Sequence, residues 1–191
     1  MTKSLLIEIG VEELPAIPLL KIIKNIDKSW RTILINNQLN TQFEFLYTPR
    51  RLILIHNNMP LKQSDSIIEL YGPPVEVAIN DGLPTEVGNG FARKCGVSFD
   101  EISRADKGGR EVLYFKDEKI GTDTKKLLED MIKQWIASMN FGKMMRWGDR
   151  TDEFIRPIRW LQVRLDNNII PVELFGVQSS NNTFVHRIGR I

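Results

Sequence analysis

Apolar residues recur along this chain with two different spacings, and each spacing predicts a different kind of element. Residues 4–9 form a short, mostly apolar run, which is typical of a buried strand. From Leu19 onward, apolar side chains return every three or four positions, which predicts an amphipathic helix whose start Pro15 can set. Residues 43–47 and 52–55 then predict two strands joined by a proline turn. The expected opening is therefore β-α-β-β.

The middle of the chain has weaker periodicity but clear helix boundaries. Thr85 is placed to cap a short helix that ends near Gly96. Ser98 and Glu101 have the spacing of a capping box, which predicts another short helix. Residues 112–116 follow a double-glycine turn and predict a strand. A mixture of short helices and strands is therefore expected here.

The last third of the chain returns to strong patterns. Residues 128–139 carry an apolar stripe at helical spacing, which predicts a second amphipathic helix. Residues 161–165 alternate apolar and polar side chains, and residues 170–175 follow an Asn-Asn dipeptide suited to a hairpin turn. We predict an α+β fold with antiparallel sheets and at least two long amphipathic helices. The opening fits a ferredoxin-like or an RNA-recognition-like unit, and element order alone leaves the topology open.

Three regions are expected from these patterns. Residues 1–65 form the β-α-β-β unit, and residues 66–140 form a mixed α/β region that is a candidate insertion. Residues 141–191 hold a basic segment and a β-hairpin, which we expect to pack on the first unit. Because the chain stops without a recognisable terminal element, we expect a truncated N-terminal fragment of a longer protein.

Cysteine usage and hydropathy indicate the compartment. Cys95 is the only cysteine, which excludes a disulfide within the chain and fits a reducing compartment. No apolar run approaches the ~20 residues that span a bilayer, and Glu8 interrupts the apolar start. We therefore predict a cytoplasmic protein with no membrane association.

Positive charge is concentrated near the end of the chain. Residues 141–191 carry eight cations and five anions, whereas residues 1–140 carry 18 cations and 19 anions. Between Lys143 and Trp160, cationic and aromatic side chains alternate in a way that suits a ribose-phosphate backbone and exposed bases. In the alternative, these arginines pair with acidic residues of their own segment while its tryptophans fill the core. We favour RNA contact, because six cations between Lys143 and Arg164 face only three anions.

Two smaller charged groups lie in the first third of the chain. Arg50 and Arg51 can clamp a phosphate through their paired guanidinium donors, or they are a solvated turn before a strand. Both interpretations stay open. Glu8, Glu12 and Glu13 can be considered as a metal or general-base site, but we favour a structural role, since carboxylates complement the partial positive charge of a helix N-terminus.

The sequence contains no complete motif for catalysis or nucleotide binding. It lacks a phosphate-binding loop ending in Gly-Lys-Ser/Thr, a dinucleotide fingerprint and a serine nucleophile elbow. His56, His186 and Cys95 do not have the number or spacing of ligands that a closed zinc site requires. We therefore expect no catalytic residue, no metal site and no cofactor in this chain.

Eight strings, in the same order, resemble the N-terminal portion of the bacterial glycyl-tRNA synthetase beta subunit family. They are LLIEIGVEELP (5–15), TPRRL (48–52), YGPP (71–74), GFARKCGV (90–97), DKGGREVLYFK (106–116), KMMRWG (143–148), FIRPIRWL (154–161) and HR (186–187). Each string alone is a weak signal. Together they cover essentially the whole chain, which makes a chance similarity implausible.

The resemblance implies a division of labour between two kinds of subunit. In this family an alpha subunit activates glycine with ATP and Mg, while the beta subunit contributes tRNA recognition and is required for charging. The expected partners are therefore an alpha subunit and tRNA(Gly), without a membrane. In that family the beta subunit also has a histidine-aspartate-type domain and an anticodon-binding domain beyond the region that this chain resembles, so we expect neither within residues 1–191. The tRNA-binding candidates are Arg50, Arg51, Lys143, Arg146, Arg156, Arg159 and Arg187.

The expected role is to bind and position tRNA and to assemble with the alpha subunit for ATP-dependent glycylation of tRNA(Gly). An alternative is a subunit-interaction module in which the Arg and Trp residues contact another subunit and RNA never touches them. An independent small enzyme is a third class, and it would need a pocket of converging reactive side chains. Nothing in the sequence calls for such a pocket.

Overall fold

The structure, a computed structural model, describes the backbone of residues 1–186, 189 and 190 and the side chains of residues 1–184. Its named strand pairs are antiparallel and helices accompany them, so the predicted α+β class with antiparallel sheets is confirmed. No helix in the described part of the chain is long and apolar enough to cross a membrane.

The elements of the described residues are numbered here in chain order. The helices are α1 (Ala16–Asn36), α2 (Val75–Ala78), α3 (Glu86–Cys95) and α4 (Thr124–Ala137). The longer strands are β1 (Thr2–Val11), β2 (Glu44–Thr48), β3 (Arg51–Pro60), β4 (Ser66–Pro74), β7 (Ser103–Asp106), β8 (Glu111–Lys119) and β11 (Ile158–Leu165). The short strands are β5 (Ile79–Asn80), β6 (Leu83–Pro84), β9 (Met145–Arg146), β10 (Glu153–Phe154), β12 (Asn168–Ile169), β13 (Glu173–Leu174), β14 (Val177–Gln178), β15 (Phe184–His186) and β16 (Gly189–Arg190).

The chain forms two compact units. The larger unit comprises Met1–Ser64 and Thr122–Ile191, and the smaller unit is the continuous segment Asp65–Gly121. The sequence placed the second boundary near residue 140, whereas the structure places it before α4. Helix α4 lies in the larger unit because Trp135 is fully buried against α1, where its Nε1 donates to the carbonyl of Ile26 at 3.1 Å.

The larger unit is built on a five-stranded sheet with the strand order β12-β11-β1-β3-β2. Successive side chains of a strand point to opposite faces, so every second residue of β1, β3 and β11 enters one core. Ile7 and Leu54 are directly paired in this register, and both are fully buried. Trp30 of α1 and Trp135 of α4 pack edge to face in the same core, with their ring centroids 5.5 Å apart.

The opposite face of this sheet carries a different set of residues. Glu8 and Gly10 alternate with the core residues of β1, and Gly10 pairs with Arg51 on one side and Trp160 on the other. These four positions bring a carboxylate, a guanidinium and an indole to neighbouring places on three strands. This outer face positions the candidate site described below.

The smaller unit is built on a three-stranded sheet, β4-β8-β7, with α3 on one face, and it also contains α2 and the short β5-β6 pair. Its core is small, because Ala78, Phe91 and Leu113 are its buried cluster. The predicted helix caps are confirmed: Thr85 accepts from the backbone N–H of Gly88, and Gly96 closes α3 at φ 75°. A left-handed φ of this kind favours glycine, because a side chain there would meet the backbone.

Two local predictions differ from the structure. The predicted capping box of Ser98 and Glu101 forms, but it opens only the 3₁₀ turn Phe99–Glu101. The strand expected over residues 170–175 does not form: β12, just before it, pairs with β11, and Ile170 adds one bond from its N–H to the carbonyl of Val163 at 2.9 Å. Pro171 has no N–H with which to continue the ladder, so the chain leaves the sheet and makes the separate β13-β14 hairpin.

Candidate functional site

A buried carboxylate organises the outer face of the five-stranded sheet. Glu8 is 5% exposed, and its Oε1 accepts hydrogen bonds from Nε1 of Trp160 at 2.8 Å and from Oγ1 of Thr183 at 2.6 Å. Nη1 of Arg51 lies 3.3 Å from the same oxygen. We call Glu8, Arg51, Trp160 and Thr183 the Glu8 cluster. It satisfies one buried charge with one cation and two neutral donors, as a buried carboxylate requires.

Gly10 makes this arrangement possible. The indole of Trp160 lies flat over Gly10, and a Cβ at residue 10 would come within 1.9 Å of the ring. Any larger residue would therefore push the indole away from the sheet. In its present place the Trp160 ring has the guanidinium of Arg51 at 5.6 Å from its centroid, which adds a cation–π contact to the ion pair.

The Glu8 cluster and the neighbouring Gln162 together hold residues 181–184 against the sheet. Thr183 binds Glu8 as above, Arg51 donates through Nη2 to the carbonyl of Phe184, and Nε2 of Gln162 donates to the carbonyl of Asn181 at 3.1 Å. The rings of Trp160 and Phe184 are 5.1 Å apart. Arg51, a predicted tRNA-binding residue, is therefore engaged inside the protein, with its side chain only 22% exposed.

An apolar groove of about 790 Å³ lies beside the Glu8 cluster. Its wall at the sheet edge comes from β2, where Leu46 and Tyr47 are 41% and 43% exposed. Arg50 lines the same groove, and its Nε is buried without a hydrogen-bond partner. The lining residues are Glu13, Leu14, Ala16, Leu46, Tyr47, Thr48, Pro49, Arg50, Arg51, Ile53, Trp160, Thr183 and Phe184.

The arginines between residues 146 and 159 have partners within the chain. Nε of Arg146 lies 2.9 Å from Glu153 across the β9-β10 pair, and Nε of Arg150 lies 2.8 Å from Asp152. Arg159 lies 3.4 Å from Glu12, which comes from the other end of the sequence. The pairs of Arg146 and Arg150 match the alternative in which the arginines pair with acidic residues of their own segment, whereas Arg159 finds its partner outside that segment.

The other predicted tRNA-binding residues have different surroundings. Nε of Arg156 donates to the carbonyl of Glu13 at 3.1 Å, which places Arg156 beside the groove that Glu13 and Arg50 line. Lys143 is exposed on the segment before β9. Arg187 lies outside the described residues. The structure thus brings Arg50, Arg51 and Arg156 to the groove, while Arg146 belongs to the β9-β10 pair.

The two tryptophans of the basic segment are both engaged within the protein. Trp160 is 5% exposed in the Glu8 cluster, and Nε1 of Trp147 donates to the carbonyl of Phe154 at 2.9 Å. Among the residues that the structure describes, no group of three or more His, Cys, Asp or Glu side chains is arranged to hold a metal ion.

His56 is a buried structural residue in the larger unit. It is fully buried, and its Nε2 accepts a hydrogen bond from Nε1 of Trp30 at 3.0 Å. Burial lowers the pKa of His56 from 6.5 to about 4, because the charged imidazolium would lose its hydration. The imidazole is therefore neutral at physiological pH and belongs to the core.

The interpretation of Glu8 as a helix-end carboxylate is wrong. Helix α1 begins at Ala16 and has no acidic residue in its first turn, whereas Glu8 lies inside β1. The feature of the sequence that could have indicated this site is the single carboxylate, Glu8, within an otherwise apolar strand. Such a carboxylate needs a buried cation or donors, and the sequence alone did not show that Arg51, Trp160 and Thr183 would provide them.

Comparison with known proteins identifies the family. The sequence profile described as glycyl-tRNA synthetase beta subunit matches residues 5–190. The glycine–tRNA ligase beta subunit of Gloeothece citriformis is 38% identical over 190 residues, which cover 97% of this chain and 26% of the relative. Those of Acaryochloris marina and Moorella thermoacetica are both 36% identical, over 94% and 98% of this chain and 26% and 27% of theirs.

A match of this extent places the chain among the subunits of aminoacyl-tRNA synthetases. The chain belongs to the glycyl-tRNA synthetase beta subunit family. It spans about a quarter of the length of the relatives it matches, 26% to 27% in these three cases.

Proposed function

We propose that this chain is the N-terminal region of the beta subunit of a heteromeric, cytoplasmic glycine–tRNA ligase. In the assembly, an alpha subunit uses ATP and Mg to activate glycine, and the beta subunit takes part in transferring it to tRNA(Gly). The family match over residues 5–190 supports this proposal. The lack of nucleotide-binding motifs in the sequence is consistent with a non-catalytic contribution to protein biosynthesis.

Within that role, we propose that the apolar groove beside the Glu8 cluster contacts another subunit. It is lined mainly by apolar side chains and flanked by Leu46 and Tyr47, which are large and exposed. Three arginines near it, Arg51, Arg159 and Arg156, are engaged by Glu8, Glu12 and the carbonyl of Glu13, whereas the Nε of Arg50 in its lining has no hydrogen-bond partner among the described residues. A mainly apolar groove in which Arg51 already has a carboxylate partner suits a protein partner better than a polyanion, and the alpha subunit is the partner that we propose.

Positioning of tRNA by the basic segment is the second proposed role. Its support is the exposure of Arg146 and Arg159, whose side chains are 66% and 60% accessible although each has a carboxylate partner. Exposed pairs of this kind are weak, so a phosphate can replace the carboxylate at small cost. Holding tRNA in place speeds transfer without any group touching the reacting bond.

The two roles are separable in the assembled ligase. Leu46→Glu places a charge in the groove, and we expect it to reduce co-purification of the alpha subunit about tenfold or more, with a parallel loss of tRNA charging. Ile35→Glu is the matched control, because Ile35 is 62% exposed on α1 and does not line the groove. Equal effects of both variants would contradict groove contact.

The double variant Lys143→Ala, Arg146→Ala tests the second role, because both residues are exposed and neither lines the groove. If the basic segment positions tRNA, charging falls while glycine-dependent pyrophosphate exchange, which needs no tRNA, is retained. Equal loss in both assays would defeat the tRNA-positioning role. If the variant assembles normally and charges tRNA as well as the parent protein, the basic segment does not position tRNA. That result would support the alternative in which this region contacts another subunit and not RNA.

A further inference from the structure

The smaller unit presents an aromatic face that the proposed function does not use. Tyr71 on β4 and Tyr114 on β8 are directly paired across the sheet, and their ring centroids are 5.1 Å apart. They lie on the face opposite the core residues Leu113 and Phe91. Tyr71 is 45% exposed, and Ile67 on the same face of β4 is 59% exposed. We call Ile67, Glu69, Tyr71 and Tyr114 the tyrosine face.

The tyrosine face already holds a cation. Nζ of Lys107 lies 4.5 Å from the centroid of the Tyr71 ring. Lys107 comes from the β7-β8 turn, where its N–H donates to the carbonyl of Arg110 at 2.9 Å. This ammonium group covers that side of the Tyr71 ring, so the ring face is reached from solvent and can hold a cation.

Glu69 and Glu118 lie on the same face as the two rings, together with Lys116, which is directly paired with Glu69 and lies 2.9 Å from Glu118. The hydroxyl of Tyr114 donates to Oε1 of Glu69 at 2.8 Å. This hydrogen bond raises the pKa of Tyr114 to about 12, because a phenolate would lie beside the carboxylate. Residues 65–121 contain 11 acidic and 7 basic side chains, a net charge of −4. A unit with this balance attracts cationic partners and repels polyanions.

We propose that the tyrosine face binds a basic polypeptide segment, whose arginine or lysine takes the place of Lys107 over Tyr71. Glu69 faces the incoming charge, and Ile67 contacts an apolar neighbour of that residue. Lys107 acts as an intramolecular competitor that occupies the ring until the segment arrives. This inference is independent of the groove and of tRNA positioning, because all of its residues lie in the smaller unit.

A labelled peptide tests the proposal on the whole chain. The probe is a fluorescein-labelled dodecapeptide of alternating arginine and alanine, and its binding is followed by fluorescence anisotropy at low salt. We expect Tyr71→Leu to weaken binding about two- to fivefold, because it removes the ring and keeps an apolar side chain. Tyr71→Phe keeps the ring and is expected to bind like the parent protein. Glu69→Gln is expected to weaken binding as well.

Lys107→Ala gives the sharpest distinction, because it removes the competitor and is expected to tighten peptide binding. Lys94→Ala is its matched control. It makes the same charge change at an exposed position of α3, which packs on the other face of the sheet. Tightening by Lys107→Ala beyond that of Lys94→Ala supports the proposal, and equal effects overturn it. Labelled decauridylate, a short RNA, is the competing probe. The proposal would be overturned in favour of a nucleic-acid surface if this RNA bound more tightly than the peptide, and if its binding were lost in Tyr71→Leu and weakened in Lys107→Ala.

Discussion

Glu8 and Glu153 each pair with an arginine in the larger unit, but their surroundings differ. The side chains of Glu8 and Arg51 are 7% and 22% exposed, and Trp160 and Thr183 complete the shell of donors. The side chains of Glu153 and Arg146 are 46% and 66% exposed, so water competes for both partners. The same ionic chemistry therefore has a fixed structural role at Glu8 and stays exchangeable at Glu153.

This difference shows where the charged residues of the chain can take part in binding. When a buried pair loses one partner, the remaining charge is left without solvation. The Glu8 cluster is therefore needed for the stability of the fold and is not free to bind a ligand. An exposed pair exchanges its partner for water, salt or phosphate at little cost. We therefore expect changes at Glu8 to have the largest effect on stability, the buried His56 to have a smaller one, and changes at the exposed Glu153 to have the smallest.

The largest effect is expected from Glu8→Ala. Removing the carboxylate leaves the guanidinium of Arg51 without its anionic partner and the indole N–H of Trp160 without its acceptor, and we expect the free energy of unfolding to fall by about 3–5 kcal/mol. Urea unfolding followed by tryptophan fluorescence measures this change. The four tryptophans of the chain, Trp30, Trp135, Trp147 and Trp160, all lie in the larger unit, so their fluorescence monitors that unit alone.

Glu12→Ala is the matched control for Glu8→Ala. Glu12 also pairs with an arginine, Arg159, but the two side chains are 43% and 60% exposed. We expect the control to change the free energy of unfolding by less than about 1 kcal/mol. Similar values for the two variants would show that burial does not separate the two kinds of pair.

His56 predicts a pH dependence of stability. Its pKa is lowered from 6.5 to about 4 in the folded protein, so the unfolded chain takes up this proton first as the pH falls. Stability is therefore fully present above pH 6.5 and declines between pH 6.5 and about 4, by roughly 3 kcal/mol in total. Denaturation curves of the larger unit at a series of pH values measure the slope.

His56→Gln isolates this contribution. Glutamine retains an acceptor for the N–H of Trp30 and does not titrate, so the difference between the two pH profiles reports His56 alone. We expect the profile of the variant to be flatter between pH 6.5 and 4. Parallel profiles would mean that the imidazole takes up its proton as readily in the folded protein as in the unfolded chain.

Much of the fold follows from local patterns in the sequence. Thr85 and Gly96 mark the ends of α3 because a cap and a left-handed residue act within one turn of the chain. The candidate site was harder to predict from the sequence, because the residues that contact one another there are far apart along the chain. Counting anions near Arg159 could not include Glu12, and the strand containing Glu8 gave no indication of Thr183. Long-range pairing depends on strand register, which these patterns leave open.

Glu153→Gln is expected to have the smallest effect. It removes the exposed partner of Arg146, and we expect the free energy of unfolding to change by less than about 1 kcal/mol. A double-mutant cycle with Arg146→Ala is the measurement, because it isolates the pair from other effects of each substitution. We expect a coupling energy of about 0.2–1 kcal/mol at low salt.

The salt dependence of the coupling energy tests whether Arg146 can readily exchange Glu153 for another anion. Near 1 M salt the screening length falls to about 3 Å, so the Arg146–Glu153 coupling should disappear because both side chains are in water. The corresponding cycle for Glu8 and Arg51 should keep most of its coupling, because protein atoms cover that pair. A salt-resistant coupling at Arg146 would mean that its carboxylate is not readily exchanged, and phosphate could then not replace Glu153 at small cost.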